Sequence, residues 1–383
     1  MDDHSSSASP PASPWVPLGI LGGVLLFSVL ATATADFVAD DVGLGLNTVA
    51  FTEEVDGRRI SGPFRDVPLV RETFAAYRAE GRPVVLWLGA SQLYAVNHPG
   101  PDARLAVAFA QDAASARGSD SAYLMTASPN SNLHEILCML LAYRQQGLRP
   151  DALVLGFTYD DLKEPGIRDT ALELLQLPFD EETKALCGPA AAHIVRAAAA
   201  EEDAEADTAP IERTATAGTP QERLEDALVE TLDTHWEAYS HRATLRARAI
   251  TAWKTPVTRL AFTVLERPKQ LVPDDMRAWN ESAFDALLAL PAAHDVPLFI
   301  NKAPHRPDAR AFFHDRQAYD TAHAELRDRS REAGAAWNDF ETLVPAELWG
   351  MTNEGAPDVF HFRVEGHRLL GGAVDAWLRD HGF

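Results

Sequence analysis

Short, almost wholly apolar runs alternate along this chain with longer amphipathic segments, and this alternation limits the fold more than any other feature. The clearest run spans residues 84–88 (Val-Val-Leu-Trp-Leu), and such an uninterrupted strand is typical of a parallel sheet covered on both faces. Similar runs occur at 122–126, 152–157, 296–300 and, more weakly, 335–340, and helical patterns occur at 67–82, 101–117, 133–146, 315–333 and 366–381. The order predicts an α/β fold with a doubly wound parallel sheet.

The pattern changes after the third run. Residues 165–290 are predicted to be mostly helical, as an insertion packed on the sheet. The core is therefore predicted in two parts, 83–164 and 291–383, with residues 36–82 as a lead-in segment. A chain of 383 residues is long enough to bury one large core of this kind.

Residues 15–35 contain 21 residues without a charged side chain. As a helix, this stretch is long enough to span a hydrocarbon core of about 30 Å. Residues 1–14 are predicted to be a disordered tail, and they contain no Lys or Arg, so the basic region of a signal peptide is missing. The sequence favours an uncleaved transmembrane anchor. A cleaved signal, with small-residue cleavage sites at 31–35, and a buried core helix are the alternatives.

The charge and the cysteines exclude some functions. A formal net charge of −22 argues against nucleic-acid binding, because a phosphate backbone would be repelled. Cys138 and Cys187 fit no metal-ligand spacing, and the sequence predicts neither a metal nor a cofactor. A disulfide between them is compatible with an oxidising compartment. The apolar helical run around Cys138 favours a buried thiol over a third option, a thiol nucleophile.

A serine, an aspartate and a histidine occupy positions suited to nucleophilic catalysis. Ser91 follows the first apolar run, where the sheet edge and the start of a predicted helix favour developing negative charge. Asp358 and His361 lie three residues apart on a predicted turn before the last helix. There His361 can act as general base and Asp358 can orient its ring. A helix cap and a core histidine are the structural alternatives for these residues.

Two other histidines are rival bases. His305 lies in the polar loop after the fourth run, at the same predicted sheet edge as Ser91, but no aspartate at a useful spacing orients it. His367 lies six residues beyond His361 and is predicted to pack or cap within the last helix.

The serine and histidine segments resemble two sequence blocks of the SGNH/GDSL hydrolase superfamily. Residues 89–92 (Gly-Ala-Ser-Gln) are similar to the serine block, and residues 358–361 (Asp-Val-Phe-His) to the block before the last helix. The runs at 128–135 and 159–168 look like a membrane-anchored subgroup of bacterial envelope proteins. The resemblance implies a flavodoxin-like three-layer sandwich with a helical insertion and an N-terminal transmembrane helix.

The same resemblance implies a function. Ser91, His361 and Asp358 would form the catalytic triad of a serine esterase or O-acyltransferase, with acetyl as the acyl group. The implied substrate is an acylated polysaccharide or glycan of the cell envelope. The implied location is periplasmic, tethered to the membrane, with a membrane O-acyltransferase system as a partner. The alternative is a non-catalytic, membrane-anchored protein that uses this fold for binding or assembly in the envelope.

The chain departs from the superfamily where an oxyanion donor is expected. The usual block is Gly-x-Asn-Asp, whereas residues 156–161 read Gly-Phe-Thr-Tyr-Asp-Asp and contain no Asn. The candidate donors or substrate contacts are therefore the backbone N–H of Ser91 and the side chains of Gln92, Asn130 and Asn132.

Two adjacent carboxylates, Asp160 and Asp161, and the arginine Arg168 follow the third run. They are candidate substrate contacts, or else a structural ion pair that braces the insertion. The structural role is preferred, because a divalent metal ion would need further oxygen ligands at this point of the chain.

Overall fold

The computed structural model describes residues 52–64, 66–96, 104–163, 166–207, 271–307, 315–351 and 357–383. All of these residues belong to one compact unit, Asp41–Ala209 together with Thr258–Phe383. The predicted tail at 1–14 and the predicted span at 15–35 lie outside the described residues. Across the described ranges, no helix has both the length and the apolar character that crossing a membrane requires.

A seven-stranded sheet forms the centre of the unit. In chain order its strands are β1 (Glu53–Val55), β2 (Arg58–Pro63), β3 (Val84–Ala90), β4 (Ala122–Ser128), β5 (Ala152–Phe157), β6 (Leu298–Lys302) and β7 (Ala336–Asp339). Across the sheet they run β1-β2-β4-β3-β5-β6-β7. The β1–β2 pair is antiparallel and the other pairs are parallel. The predicted α/β fold with a mainly parallel sheet is confirmed.

The hairpin at the edge of the sheet is not indicated by the sequence pattern. Its turn, Asp56-Gly57, has φ of 52° and 75°, as a two-residue hairpin loop requires. Strand β2 then pairs in parallel with β4, so the lead-in segment contributes two strands to the sheet.

Eight helices accompany the sheet in the described residues. They are α1 (Val67–Ala79), α2 (Ala106–Ala116), α3 (Leu133–Gln145), α4 (Asp169–Leu172), α5 (Glu181–Asp207), α6 (Asp274–Ala292), α7 (Arg316–Glu332) and α8 (Val364–Arg379). Helix α2 begins later than the predicted residue 101, because Leu105 is still extended, with φ −87° and ψ 158°. Between β5 and β6 the described chain is helical, as predicted, and residues 208–270 lie outside the described ranges.

Helices cover both faces of the sheet. Phe299 of β6 meets Trp377 of α8 with 5.1 Å between ring centroids, and Phe157 of β5 lies 6.0 Å from Phe284 of α6. Phe157 pairs with Lys302, which is three residues beyond Phe299. The two phenylalanines therefore point to opposite faces of the pleated sheet, and the unit has three layers. Burial on both faces explains why the central strands are apolar throughout.

Helix α8 packs against α2 at backbone distance. A Cβ atom at Gly371 would lie only 2.2 Å from the carbonyl oxygen of Ala106. One turn later, the Asp375 carboxylate accepts hydrogen bonds from Tyr123 Oη at 2.8 Å and from Arg117 Nη2 at 3.0 Å. Helix α8, which follows the Asp358–His361 segment, is therefore held against the core by its close contact with α2 and by the hydrogen bonds of the buried Asp375.

Substitution of Gly371 tests this close approach. We expect Gly371→Ala to lower the free energy of unfolding by about 1–3 kcal/mol, because the added methyl group forces two backbones apart. Gly372→Ala is the matched control, since a Cβ there meets nothing within 4 Å. The control should be neutral, or stabilising by up to about 1 kcal/mol, because alanine favours a helix over glycine. Urea unfolding followed by circular dichroism measures both, and equal stabilities would contradict the packing.

Candidate active site

Ser91 lies where β3 leaves the sheet. A 3₁₀ turn spans Ser91–Leu93, and Tyr94 N closes it by donating to Ser91 O at 3.0 Å. A Cβ atom at Gly89 would come within 2.8 Å of Leu93 Cδ1, so the glycine lets Leu93 fold back over the strand. The turn is tight as a result, and it places Ser91 at the carboxyl edge of the parallel strands, where α/β sheets bind ligands.

Asp358 and His361 lie on a short second sheet, formed by β8 (Trp349–Met351) and β9 (Pro357–Phe362) as an antiparallel pair. The prediction of a simple turn is therefore wrong, because pairing with β8 extends the segment. Within β9, Asp358 Oδ1 accepts hydrogen bonds from the N–H groups of Phe360 at 2.9 Å and His361 at 3.0 Å. These bonds bend the strand locally and direct the carboxylate and the imidazole to the same side.

His361 connects Asp358 to Ser91. Its Nδ1 donates to Asp358 Oδ2 at 3.0 Å, and its Nε2 accepts from Ser91 Oγ at 3.1 Å. The side chains of His361 and Asp358 are only 15% and 5% exposed. A hydroxyl, an imidazole and a carboxylate in one hydrogen-bonded line are the groups that activate a serine nucleophile. The three side chains have the connectivity of a serine–histidine–aspartate triad.

The carboxylate of Asp358 stays ionised in this setting. Burial raises its pKa, but the hydrogen bonds from the His361 ring and from two backbone N–H groups outweigh burial and leave the pKa below its ordinary value. The group is therefore negatively charged at neutral pH. A fixed negative charge at Nδ1 holds the ring in the tautomer whose Nε2 accepts the serine proton.

No family model and no curated protein matches the chain, whereas several solved structures do. A lipase/acylhydrolase from Enterococcus faecalis is 11% identical, with 78% of this chain and 96% of that chain covered and a TM-score of 0.35. A GDSL-like lipase from Bacteroides thetaiotaomicron is 8% identical, with coverages of 83% and 99% and a TM-score of 0.37. A carbohydrate acetylesterase family member from Sinorhizobium meliloti is 10% identical, with coverages of 78% and 98% and a TM-score of 0.31. These similarities are low, with identities of 8–11% and TM-scores of 0.31–0.37.

Of the predicted oxyanion candidates, Asn132 has a structural role. Its Oδ1 accepts from Glu135 N at 3.0 Å at the start of α3, and its Nδ2 donates to Gly166 O at 2.7 Å. Asn132 is therefore the N-cap of α3. Asn130 lies in the turn after β4 with a φ of 51°. An oxyanion role for either asparagine stays a prediction, and the backbone N–H of Ser91 is the donor that lies on the nucleophile itself.

Gln92 holds the turn of the nucleophile in place. Its side chain is buried, and Nε2 donates to Pro304 O at 2.7 Å, in the loop that follows β6. The sequence predicts an oxyanion or substrate contact for Gln92. The structure shows a link between the serine turn and a neighbouring loop.

Arg168 pairs with a carboxylate that the sequence does not suggest. Its guanidinium donates from Nε and Nη2 to both oxygens of the buried Glu135, at 2.7 and 2.6 Å, and Nη2 also donates to Ser128 Oγ at 2.8 Å. The expectation that Arg168 pairs with Asp160 or Asp161 is wrong. Glu135 lies in the first turn of α3 and is the partner of Arg168, because the chain after β5 returns to the start of that helix.

Asp160 and Asp161 make short-range contacts. Asp160 pairs with Lys163 three residues later. Asp161 accepts from the backbone N–H of Thr158 at 2.8 Å and from Thr158 Oγ1 at 2.7 Å, which closes a capping box after β5. The preference for a structural role is confirmed for Asp161. In the part of the chain that the structure describes, no three His, Cys, Asp or Glu side chains are arranged to hold a metal ion.

The rival bases and the rival nucleophile make other contacts. His367 is fully buried in α8 and packs edge-on against Phe362, with 4.6 Å between ring centroids, as predicted. His305 Nδ1 donates to its neighbour's carbonyl, Arg306 O, at 3.1 Å. Both cysteines are free and buried, and burial raises the pKa of the Cys138 thiol, which opposes formation of a thiolate nucleophile.

A small pocket flanks the triad. It is bounded by Gln92, by the end of β5 (residues 157–160), by residues 303–305, by Tyr319 of α7 and by residues 359–360 of β9. It holds about 310 Å³ of empty space, part of it open to solvent. Its walls are mainly aromatic and apolar, so the space next to Gln92, the residue after the nucleophile, suits a compact, weakly polar group.

Asn132 allows a capping role to be separated from an oxyanion role. We expect Asn132→Ala to lower the free energy of unfolding by about 1 kcal/mol, because the first turn of α3 loses its cap. Asn132→Asp keeps the capping acceptor but loses the donor to Gly166 O, so it should recover only part of that loss. Ester hydrolysis per folded molecule should stay unchanged in Asn132→Ala. A loss of rate of about 100-fold without loss of stability would instead establish an oxyanion donor.

Asp161 makes the stability of the protein depend on pH. Burial, its largest influence, raises the pKa to about 7 even though Thr158 donates two hydrogen bonds that lower it. The folded state thus binds a proton that the unfolded chain releases near pH 4, so this stabilisation is full below about pH 4 and is lost as the pH rises through 7. Other buried groups titrate in the same range, because burial lowers the pKa of His134 to about 3 and that of His323 to about 4, and these two groups make stability rise with pH. The contribution of Asp161 is therefore measured as a difference. Relative to Asp161→Asn, the unfolding free energy of wild type should fall by up to about 1.4 kcal/mol per pH unit in urea melts from pH 4 to 8, and Asp120→Asn, an exposed control, should follow wild type.

Proposed function

We propose that this protein is a serine esterase or O-acyltransferase whose nucleophile is Ser91, whose general base is His361 and whose orienting carboxylate is Asp358. The observation that carries the proposal is the line of two hydrogen bonds, 3.1 Å from Ser91 Oγ to His361 Nε2 and 3.0 Å from His361 Nδ1 to Asp358 Oδ2. Each partner is within the reach that proton transfer requires.

The acylation step follows from this geometry. Ser91 Oγ attacks the ester carbonyl carbon while its proton passes to His361 Nε2, and the carbonyl oxygen becomes an oxyanion. The ionised Asp358 stabilises the imidazolium that forms. The tetrahedral intermediate collapses, the alcohol leaves with the proton from His361, and an acyl-serine remains.

Deacylation uses the same residues. His361 removes a proton from water, for hydrolysis, or from a second hydroxyl, for transfer. The new oxygen attacks the acyl-serine carbonyl, and Ser91 recovers its proton from His361. In both steps the N–H of Ser91, the first residue of its 3₁₀ turn, is the proposed donor to the oxyanion.

For the substrate we propose an acetyl ester on a carbohydrate of the cell envelope, processed outside the cytoplasm by a protein tethered through residues 15–35. The small aromatic pocket beside Gln92 supports a short acyl group over a long chain. The apolar stretch at 15–35 supports the tether, and the net charge of −22 speaks against a nucleic-acid partner.

Substitution of the three residues tests the chemistry. We expect Ser91→Ala and His361→Gln to lower kcat/KM for p-nitrophenyl acetate by about 10⁴-fold or more, and Asp358→Asn by about 10²- to 10⁴-fold. Ser115→Ala, an exposed serine on α2, is the matched control and should behave as wild type. A fluorophosphonate should label Ser91 in wild type but not in His361→Gln.

Two outcomes decide between the enzyme and the alternative. Rapid labelling of Ser91 that depends on His361 supports an acyl-transferring enzyme, and faster turnover of the acetyl ester than of the octanoyl ester supports the short acyl group. If the fluorophosphonate does not label folded wild-type protein, the enzymatic proposal is wrong and the non-catalytic binding or assembly role is favoured.

A further inference from the structure

The loop after β6 touches both halves of the candidate triad. We call residues 303–307 the bracing loop. On one side, Pro304 O accepts the hydrogen bond from Gln92 Nε2 at 2.7 Å. Gln92 is only 7% exposed and follows the nucleophile directly in the chain. The buried amide therefore ties the turn of Ser91 to the bracing loop.

On its other side the bracing loop reaches the β8–β9 hairpin. Arg306 Nη1 donates to Asp358 O at 3.2 Å and to Gly350 O at 3.4 Å. These carbonyls belong to the two different strands of the hairpin that carries Asp358 and His361. One guanidinium thus contacts both strands, and its charge strengthens bonds to carbonyl oxygens.

The bracing loop is itself anchored to the sheet. Ala303 N donates to Phe157 O at 2.8 Å, which continues the pairing of β5 with β6. His305 N donates to Glu341 O at 2.9 Å, beyond the end of β7. The carboxylate of Glu341 accepts a hydrogen bond from Arg316 Nη1 at 2.6 Å and pairs with the buried Lys302. These hydrogen bonds hold the loop in a fixed position relative to the sheet.

We propose that the bracing loop sets the distance between nucleophile and base, and that Arg306 is the positioning residue that holds the hairpin. This inference rests on the proposed function. Ser91 and His361 are 270 residues apart in the chain, and a single 3.1 Å hydrogen bond joins them. A displacement of about 1 Å costs on the order of 10²-fold in rate, so the relative placement of the two segments has to be fixed by neighbouring contacts. The bracing loop is the element with a side-chain contact to each segment.

The test compares Arg306→Met with Arg306→Lys and with Arg379→Met. The first removes the donors, the second keeps a charged donor, and the third removes an exposed arginine at the end of α8. In Arg306→Met we expect kcat for p-nitrophenyl acetate and the rate of fluorophosphonate labelling to fall together by about 10- to 100-fold. KM should change less than kcat, because Arg306 itself does not line the pocket. Arg306→Lys should recover part of the loss, and Arg379→Met should match wild type.

A double-substitution cycle separates a brace from independent effects. If Gln92 and Arg306 act through one loop, loss of either hydrogen bond is enough to stop the loop from positioning the triad. The double variant Gln92→Met/Arg306→Met should then react no more slowly than the slower of the two single variants. Multiplied losses would show independent roles and overturn the brace. Arg306→Gln, which keeps a polar side chain too short for both carbonyls, is the second variant should Arg306→Met fold poorly. A wild-type labelling rate in either folded variant would also overturn it.

Proton NMR keeps this inference distinct from the proposed function. The His361 Nδ1–H proton, bound to Asp358, should give a downfield signal that His361→Gln removes. Loss or broadening of that signal in Arg306→Met supports the brace, and a wild-type signal contradicts it, whether or not the protein hydrolyses esters. If wild type shows the signal but resists the fluorophosphonate, the catalytic proposal fails and the NMR result alone decides on the brace.

Discussion

The Asp358 carboxylate is the group on which the geometry of the site depends. One oxygen accepts two backbone N–H groups, from Phe360 and His361, and so shapes the strand that carries the histidine. The other oxygen accepts the imidazole N–H. An aspartate bonds readily to N–H groups two and three residues ahead, which gives the three-residue spacing a physical reason. The Asp358 side chain thus shapes the backbone of its own segment and orients the imidazole of His361, and both contacts depend on the three-residue spacing.

The sequence predicts the centre of the sheet well and its margins poorly. Strands β3, β4 and β5 are buried on both faces. Burial on both faces requires a continuous apolar run, and such a run can be recognised from the sequence alone. The hairpin β1–β2 at one margin of the sheet and the pair β8–β9 are short or contain polar residues, so they lack the continuous apolar run that marks a buried strand. Local pattern therefore misses them, and it assigns Asp358 and His361 to a turn.

The candidate site divides in the same way. Ser91, Asp358 and His361 can be predicted from the sequence. Ser91 follows the first apolar run, and Asp358 and His361 lie three residues apart before the last helix. Arg168 is assigned the wrong partner, because its contact with Glu135 requires two loops to meet at one helix end. Arg306 is missed altogether. Its only sequence signal is its position after β6, on the edge that also carries Ser91, and an arginine that binds backbone carbonyls leaves no complementary residue type to find.

The chain between β5 and β6 has a consequence for how this architecture can vary. The two strands are immediate neighbours in the sheet, yet helices α4, α5 and α6 all lie between them in sequence. The pairing of β5 with β6 fixes the two points between which the connecting chain runs. The length of that connection can change at small cost, since the entropic cost of loop closure grows only logarithmically with length. Helix α6 covers one face of the sheet through Phe284, so that part of the connection is fixed in place. The part of the chain before α6 can differ in length without changing the pairing of the two strands.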